Sequence, residues 1–208
     1  MTDPAPDGFE LPPPGGRQQP RERELPGDEL IPAAEVVMDR VAALEASAER
    51  VWPWLVQLGK GRAGWYLTRR LERLTPRGKR ALRRIEPEYQ TVAVGDRVAD
   101  YGRDGWFEAR VVAPPHALVW WSERGRDLKL TWALVLTATG PRTSELHVRL
   151  RINRALGRRV PAIVQWGSER FDRFTIQIMV AGLRERLADA AAEAGAASRP
   201  ERRRSEHD

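Results

Sequence analysis

The sequence predicts an α+β protein in which a curved antiparallel sheet wraps around one long C-terminal helix. Between residues 97 and 153, apolar and polar residues alternate with a period of two, and Gly or Pro interrupts the pattern at short intervals. Connections this short require antiparallel pairing. From residue 168 to about residue 194 the period becomes helical and no Pro occurs. Strands and long helix are therefore segregated along the chain, as in the α+β class.

The composition predicts one folded domain between two tails. The chain has 208 residues, of which 41% are hydrophobic and 31% charged, enough apolar material for one core. Residues 1–27 contain seven Pro and four Gly, so we expect a disordered N-terminal tail there, a domain at 28–195 and a disordered basic tail at 196–208. The chain has no Cys, which excludes disulfides, thiolate metal sites and Cys nucleophiles.

Two short helices are expected after the first strand. Residues 35–45 alternate well enough for a strand, and Ser47 then offers an N-cap. The first short helix stops at Gly59, and the second is expected over about residues 64–74. The letters of residues 59–64, GKGRAG, match a dinucleotide-binding pattern. A helix rather than a strand precedes them, so we interpret them as a tight turn between helices.

Five strands are predicted after the two helices, and the last of them has the clearest alternation. The predicted ranges are 97–101, 105–113, 117–122, 128–139 and 143–153. In the last strand Leu146 and Val148 face one side, while His147 and Arg149 face the other. One face of the sheet is therefore expected to be apolar and the other solvated.

The C-terminal helix carries its apolar residues on two stripes. One stripe includes Phe174 and Ile178, and the other includes Met179 and Leu183. An ordinary surface helix has a single apolar stripe. The wider arc indicates a helix that a curved sheet surrounds on several sides.

Two sequence blocks resemble a known superfamily. Residues 51–66 read VWPWLVQLGKGRAGWY, and residues 85–98 read IEPEYQTVAVGDRV. With the order of elements over about residues 34–192, they resemble the helix-grip fold of the START-like, Bet v 1-like superfamily, also called SRPBCC. Within it, they are most similar to the bacterial polyketide cyclase/dehydrase and lipid-transport branch. The resemblance implies a cavity between sheet and C-terminal helix that accepts an apolar small molecule, but it does not imply one reaction.

The aromatic residues indicate where such a ligand would bind. The chain has eight Trp, and a buried indole N–H needs a partner, so several Trp on one inward face suit an amphipathic pocket wall. Of the adjacent pair Trp120 and Trp121 only one can face inward, and we favour Trp120. The predicted ligand-binding residues are Trp65, Tyr66, Tyr101, Phe107, Trp120, Trp132, Phe174 and Ile178.

Groups for catalysis are few. The chain has three His, of which His116 lies in a predicted turn, His207 in the tail and His147 on the predicted solvated face. Asp39 and Glu108 could act as bases only if they faced the cavity and lost solvation, and the alternation places Glu108 outward. We therefore predict no catalytic residue, no cofactor and no metal site.

One segment concentrates the positive charge of the chain. Residues 69–84 hold eight basic residues against one acid, whereas the whole chain carries +6. The basic residues are Arg69, Arg70, Arg73, Arg77, Lys79, Arg80, Arg83 and Arg84. A solvated surface is the ordinary interpretation of such a run, and contact with an anionic membrane or an acidic partner is the alternative. No aromatics for base stacking are interleaved, so no specific nucleic acid is expected.

Three functions remain open on the sequence alone. The first is a binding protein that carries, sequesters or senses an apolar or aromatic small molecule, lipid-like or polyketide-like. The second is a polyketide cyclase or dehydratase type of enzyme on the same fold. The third is an interaction protein that uses residues 69–84 on a membrane surface or polyanion. The sequence has neither a leader pattern nor a membrane-length apolar run, so a cytoplasmic location is expected.

Overall fold

The computed structural model covers the predicted domain in four stretches. The residues that it describes are 23–99, 105–124, 128–154 and 162–197, with no side chains described at 154, 162–173 and 197. Six strands and three α-helices are found in these stretches. They are β1 (Val36–Leu44), α1 (Ala48–Gln57), α2 (Arg69–Glu72), β2 (Arg97–Ala99), β3 (Trp106–Ala113), β4 (Ala117–Arg124), β5 (Leu128–Gly140), β6 (Thr143–Arg154) and α3 (Ala162–Ala197).

The strands form one antiparallel sheet in the order β1-β6-β5-β4-β3-β2. From β2 to β6 the order in the sheet follows the order in the chain, and β1 closes the series by pairing with β6. The long helix α3 packs across one face of this sheet, where Met179 and Leu183 share a buried cluster with Leu118 and Leu134. The predicted helix-grip arrangement is therefore confirmed. We call the face against α3 the inner face.

Alternation along the strands decides which side chains reach the inner face. Trp120 packs in the inner cluster and is almost fully buried, as predicted, and Trp121 next to it does not belong to that cluster. On β6, Leu146 and Val148 point inward, and His147 and Arg149 therefore lie on the outer face. The period-two pattern thus predicted the side of the sheet correctly for each of these residues.

The second short helix is shorter than predicted. Instead of spanning about residues 64–74, α2 has only one turn, Arg69–Glu72, and the chain before it is extended. A Cβ added at Gly182 would lie 2.7 Å from the backbone of Tyr66 and Leu67, so residues 66–67 rest directly on the backbone of α3.

The glycine-rich stretch is a tight turn, as the sequence predicted. Gly59 and Gly64 form an isolated antiparallel bridge, and both have positive φ, 138° and 83°. A Cβ at Gly64 would approach the backbone of Ala81 to 3.1 Å, so this position also needs glycine for space.

The C-terminal helix is longer than predicted. It begins at Ala162 rather than near residue 168, and it ends at Ala197. Across the described residues, α3 included, no helix combines the length and apolar character that crossing a bilayer requires.

The outer face of the sheet is covered, which the sequence analysis did not foresee. Residues 23–31, which we call the N-terminal strap, lie over it, and Leu25 is buried against Val119 and Val135. A Cβ at Gly27 would stand 2.5 Å from Val119 Cγ1. The expectation of a solvated outer face is therefore wrong over this area. Residues 23–27, which the sequence analysis assigned to the tail, pack as part of the domain, whereas residues 1–22 and 198–208 lie outside the described residues.

A buried ion pair joins α3 to α2. The guanidinium of Arg186 is fully buried and donates a hydrogen bond of 2.6 Å to Glu72 Oε1. It also donates to the carbonyl oxygens of Leu67 and Leu82, at 3.0 and 2.7 Å. Burial lowers the pKa of Arg186, and the bond to Glu72 acts in the opposite direction. One side chain thus satisfies backbone groups on both sides of α2.

We expect Arg186→Met to lower the free energy of unfolding by about 3–5 kcal/mol, because it leaves Glu72 buried without its partner. Urea titration at neutral pH measures the change. The matched control is Arg70→Met on the exposed side of α2, which should change stability by no more than about 0.5 kcal/mol. Equal effects of the two variants would show that the buried ion pair contributes no more to the free energy of unfolding than an exposed arginine does.

Candidate functional site

Three aromatic side chains meet on the inner face, and we call them the aromatic cluster. The rings of Trp65 and Trp132 are stacked, with centroids 5.8 Å apart and an interplanar angle of 27°. Phe107 lies against Trp132 with a centroid distance of 6.3 Å. All three are half-buried and pack against the inner core. The sheet supplies Phe107 and Trp132, and the extended segment before α2 supplies Trp65.

Polar side chains of β4 border the aromatic cluster. The guanidinium carbon of Arg124 lies 6.0 Å from the centroid of the Phe107 ring, within range of a cation–π contact. Ser122 shares the inward parity of Trp120 and is fully buried. Its hydroxyl has no hydrogen-bond partner in the described part of the chain. The inner face therefore offers apolar rings next to a hydroxyl and a cation.

The chemistry available on the inner face is limited to a few groups. On the described strands, the positions that alternate with the inner core carry neither carboxylate nor imidazole. Arg40, which faces Val148 across the β1–β6 pair, adds a second half-buried guanidinium. The face can therefore stack planar molecules, donate hydrogen bonds and stabilise negative charge, and these side chains include no group that titrates as a general base near neutral pH.

Two of the predicted ligand-binding residues belong to the packed core. Tyr66 is fully buried, its hydroxyl donates 2.8 Å to the Trp54 carbonyl oxygen, and it accepts from Gln57 Nε2 at 3.1 Å. The guanidinium carbon of Arg186 lies 4.4 Å from the centroid of its ring. Trp120 is also buried in the inner core. Both side chains thus support the site from beneath.

Of the remaining predicted residues, two lie on α3 and one lies outside the described residues. Phe174 on α3 is 63% exposed and belongs to no described core cluster, and Ile178 is half-buried. Tyr101 lies outside the described residues. Their assignment to the ligand site remains a prediction, whereas the structure brings Trp65, Phe107 and Trp132 together.

His147 is buried on the outer face rather than solvated, so that expectation is wrong. Its Nε2 is hydrogen-bonded to Asp39, which also accepts from Arg149 Nη2 at 3.0 Å. Arg149 also donates to the strap, to the carbonyl oxygen of Arg23 at 2.8 Å. Burial acts to raise the pKa of Asp39, but the hydrogen bonds from His147 and Arg149 outweigh it and hold this pKa below its usual value. These groups tie the strap to the sheet and lie on the side opposite the aromatic cluster.

Glu108, the other carboxylate considered from the sequence, faces outward as expected. It accepts hydrogen bonds from Arg97 at 3.0 Å and forms an ion pair of 3.0 Å with Arg110. Arg97 also stacks over Trp106, 4.0 Å from the ring centroid. This carboxylate is therefore neutralised at the outer edge of the sheet and is not directed at the inner face.

Part of the basic segment is neutralised by acids of α3 and α2. Arg69 donates to Asp189 at 2.6 Å, and Arg83 pairs with Glu72, Glu185 and Asp189 at 2.9 to 3.2 Å. Burial alone would lower the pKa of Arg83, but its hydrogen bonds to Glu185 and Glu72 raise it. These cations serve the packing of the segment against α3.

Within the described stretches, the other cations of the segment have no acidic partner, apart from Arg84, which pairs with Glu86. Arg80 donates to the Thr75 carbonyl oxygen at 2.9 Å and remains exposed. Four further side chains are exposed and make no hydrogen bond or ion pair with any described residue. They are Arg70, Arg73, Arg77 and Lys79.

Ser122 and Arg124 were missed by the sequence analysis although a signal for them existed. The prediction that Trp120 faces inward implies that every second residue after it does the same. The predicted strand ended at residue 122, which left Arg124 outside it, and the real strand continues to Arg124. Arg186 had no such signal, because its burial depends on how the 66–82 segment folds over α3.

The single antiparallel sheet with the long C-terminal helix across its inner face defines a helix-grip protein. Solved structures similar to this chain include a START superfamily protein, a norcoclaurine synthase and an Aha1 protein. Neither a family model nor a curated protein matches the sequence.

Three of the similar structures illustrate the class. A START superfamily protein from Mycobacterium smegmatis has 16% identity and a TM-score of 0.41, with 74% of this chain and 98% of that chain covered. Thalictrum flavum norcoclaurine synthase has 12% identity and a TM-score of 0.45, with 75% and 96% covered. A protein from Mesorhizobium loti has 18% identity and a TM-score of 0.44, with 74% and 98% covered. These values say nothing about a ligand, and the fold assignment rests on this chain's own topology.

We expect Asp39→Asn to destabilise the protein at neutral pH by about 3 kcal/mol, because His147 and Arg149 lose a buried carboxylate. The pKa of Asp39 is below its ordinary 3.8 in the folded state, so its stabilisation is present above pH 3.8 and is lost as the pH falls through the lower folded value. Urea midpoints of wild type and variant should therefore converge below pH 3.8. A difference that stays constant down to pH about 2 would contradict this linkage.

Proposed function

We propose that this protein binds an apolar or aromatic small molecule between the sheet and α3, for carriage, sequestration or sensing. The observation that carries the proposal is the aromatic cluster, in which Trp65, Phe107 and Trp132 stack on the inner face yet remain half-buried. Proteins of the helix-grip fold typically hold hydrophobic ligands in this region. The aromatic cluster of this chain is what supports an apolar or aromatic ligand.

Ring geometry supports a planar ligand in particular. Offset-stacked and tilted rings with centroids 4.5–7 Å apart are favourable, and the two pairs in the cluster meet this range. A planar ligand that stacks on Trp132 would bury the exposed surface that remains on this side chain. Such burial stabilises the complex by roughly 25 cal/mol per Å² of apolar surface. On α3, the aliphatic side chains of Ile176 and Val180 belong to the buried cluster against which the three rings pack.

The enzymatic alternative would have to use the few polar groups of this region. On the described strands, the inner-face candidates are Arg40, Ser122 and Arg124. A guanidinium can stabilise the enolate that a cyclisation or dehydration forms, but such a reaction also needs a group that removes a proton. Binding without turnover is therefore the function that the described side chains support best.

Replacement of Trp132 by Ala tests the binding function. We expect this variant to weaken the affinity for 2-methylnaphthalene, a planar apolar probe, by about tenfold or more, because it removes the central ring of the cluster. Isothermal titration calorimetry with freshly delipidated protein gives the affinities.

Trp121→Ala is the matched control, because Trp121 adjoins the inward Trp120 on β4 but faces outward. Its affinity for the probe should change less than about twofold. Equal losses in both variants, or no saturable binding to the wild type, would count against a site at the aromatic cluster.

A second candidate function is peripheral contact with an anionic membrane through residues 69–80. The specific observation is Leu74, which is 84% exposed and lies among the four unpaired cations of the segment. An exposed Leu that can enter the headgroup region, next to cations that attract anionic lipid, suits a membrane surface better than a nucleic acid. This contact would place the binding domain at the source of an apolar ligand.

Co-sedimentation with phosphatidylcholine vesicles, with and without phosphatidylserine, tests the contact. We expect binding only to the anionic vesicles and a several-fold loss between about 50 and 200 mM salt. Arg73→Glu should weaken binding at least about fivefold, since one surface cation contributes about 1 kcal/mol.

Leu74→Ser should also weaken vesicle binding, while Val94→Ser provides the control, because Val94 is exposed outside the basic segment. Vesicle binding that depends neither on salt nor on Arg73→Glu and Leu74→Ser would contradict membrane contact through this segment. Stronger binding to DNA than to anionic vesicles would instead assign the segment to a nucleic acid.

A further inference from the structure

We propose that the Ser122 hydroxyl is the polar anchor of the ligand site, and that the ligand is an aromatic molecule carrying a hydroxyl or carbonyl oxygen. The inference rests on the proposed ligand-binding function and adds the chemical class of the ligand. Its basis is a fully buried hydroxyl that has no hydrogen-bond partner in the described part of the chain.

The sheet register places Ser122 in the middle of the aromatic face. It pairs with Leu130 on β5, and its inward neighbour on β4 is Trp120, which pairs with Trp132. On the other side Glu108 pairs with Trp121, so one step further along the same register sets Phe107 opposite Ser122. The hydroxyl is therefore surrounded by rings and aliphatic groups on both neighbouring strands.

An unpartnered hydroxyl in such surroundings is unfavourable for the folded chain alone. Buried polar side chains nearly always have a partner, and one without a partner loses its bonds to water and gains none in return. An apolar residue of similar size would pack at this position without that penalty. A polar group that reaches this hydroxyl from outside the chain would remove the penalty.

Two rings of the aromatic cluster near Ser122 are not fully packed. Phe107 and Trp132 are half-buried, and rotamer changes of side chains at a binding site are common when a ligand binds. A planar ligand that takes the place of one of these rings would meet the hydroxyl at its edge.

The environment also defines the chemical class of the anchored group. A Ser hydroxyl can both donate and accept, so it can bind either a phenolic hydroxyl or a carbonyl oxygen. The guanidinium carbon of Arg124, two residues further along β4, lies 6.0 Å from the Phe107 ring centroid on the same side of the sheet. The rings on either side require that this oxygen belong to an apolar or aromatic body.

The first test compares the stability of two Ser→Ala variants in ligand-free protein. Ser122→Ala should raise the Tm by about 2–4 °C, because it removes the unsatisfied hydroxyl. Ser144→Ala is the matched control: Ser144 is equally buried, but its hydroxyl donates 2.8 Å to the Ala46 carbonyl oxygen. The control should lower the Tm. A similar fall in both variants would show that Ser122 has a structural role and would overturn the proposal.

The second test measures the contribution of the hydroxyl to binding. Titration calorimetry gives the affinity of 2-naphthol relative to 2-methylnaphthalene, two probes of equal size that differ in one hydroxyl. We expect this ratio to fall about tenfold from wild type to Ser122→Ala, while 2-methylnaphthalene binds both proteins equally well.

The outcomes separate this inference from the function on which it rests. A ratio that does not change in Ser122→Ala, while both probes still bind, would overturn the anchor and leave the proposed function intact. Absence of saturable binding for both probes to the wild type would overturn the proposed function and the anchor together.

Discussion

The buried ion pair between Arg186 and Glu72 organises the half of the molecule that contains the site. A guanidinium without water needs nearly all of its donors satisfied, and Arg186 obtains this from one carboxylate and from carbonyl oxygens of the chain before and after α2. The segment from residue 66 to residue 82 is thereby held in one conformation over α3. Trp65 is the residue just before this segment, so its position over Trp132 depends on a cation that lies away from both rings.

The two faces of the sheet use their polar groups differently. On the outer face His147, Arg149 and Asp39 bond to one another and to the strap, and their hydrogen-bonding capacity is used within the chain. On the inner face Ser122 remains unpartnered among the described residues, next to rings that are only half-buried. These polar groups of the outer face stabilise the fold, whereas the Ser122 hydroxyl of the inner face has no hydrogen-bond partner in the described part of the chain.

Much of the architecture could be predicted because local alternation alone determines the side of a strand. Trp120 and Trp132 were placed on the inner face by period two, and the glycine turn at residues 59–64 followed from its letters and its neighbours. The strap could not be predicted, since Leu25 stands in a stretch of Pro, Gly and charged residues and finds its apolar partners about a hundred residues away. The burial of such a residue is determined by tertiary packing, and the local sequence pattern does not indicate it.

The site itself was only partly predictable for the same reason. Trp65, Phe107 and Trp132 were predicted together because aromatic residues on an inward face are visible in the pattern, and the structure brings their rings into contact. Tyr66 carries the same signal as Trp65, but its burial depends on the hydrogen bonds from its hydroxyl to the α1 backbone and from Gln57. Two adjacent aromatic residues thus differ in burial: Trp65 is a half-buried ring of the aromatic cluster, and Tyr66 is a fully buried ring beneath it.

The contact at Gly182 has a consequence for how the interior could widen. The backbones of α3 and of residues 66–67 touch there with no side chain between them. A tilt of α3 relative to the sheet would therefore pivot about this contact. From Gly182 to the start of α3 at Ala162 the helix forms an arm about 30 Å long. A tilt of about 5° at this contact would move the far end of that arm by about 2–3 Å, roughly the thickness of an aromatic ring. Room for a ligand could thus be created by a small rotation that leaves the ion pair at Arg186, one turn away, undisturbed.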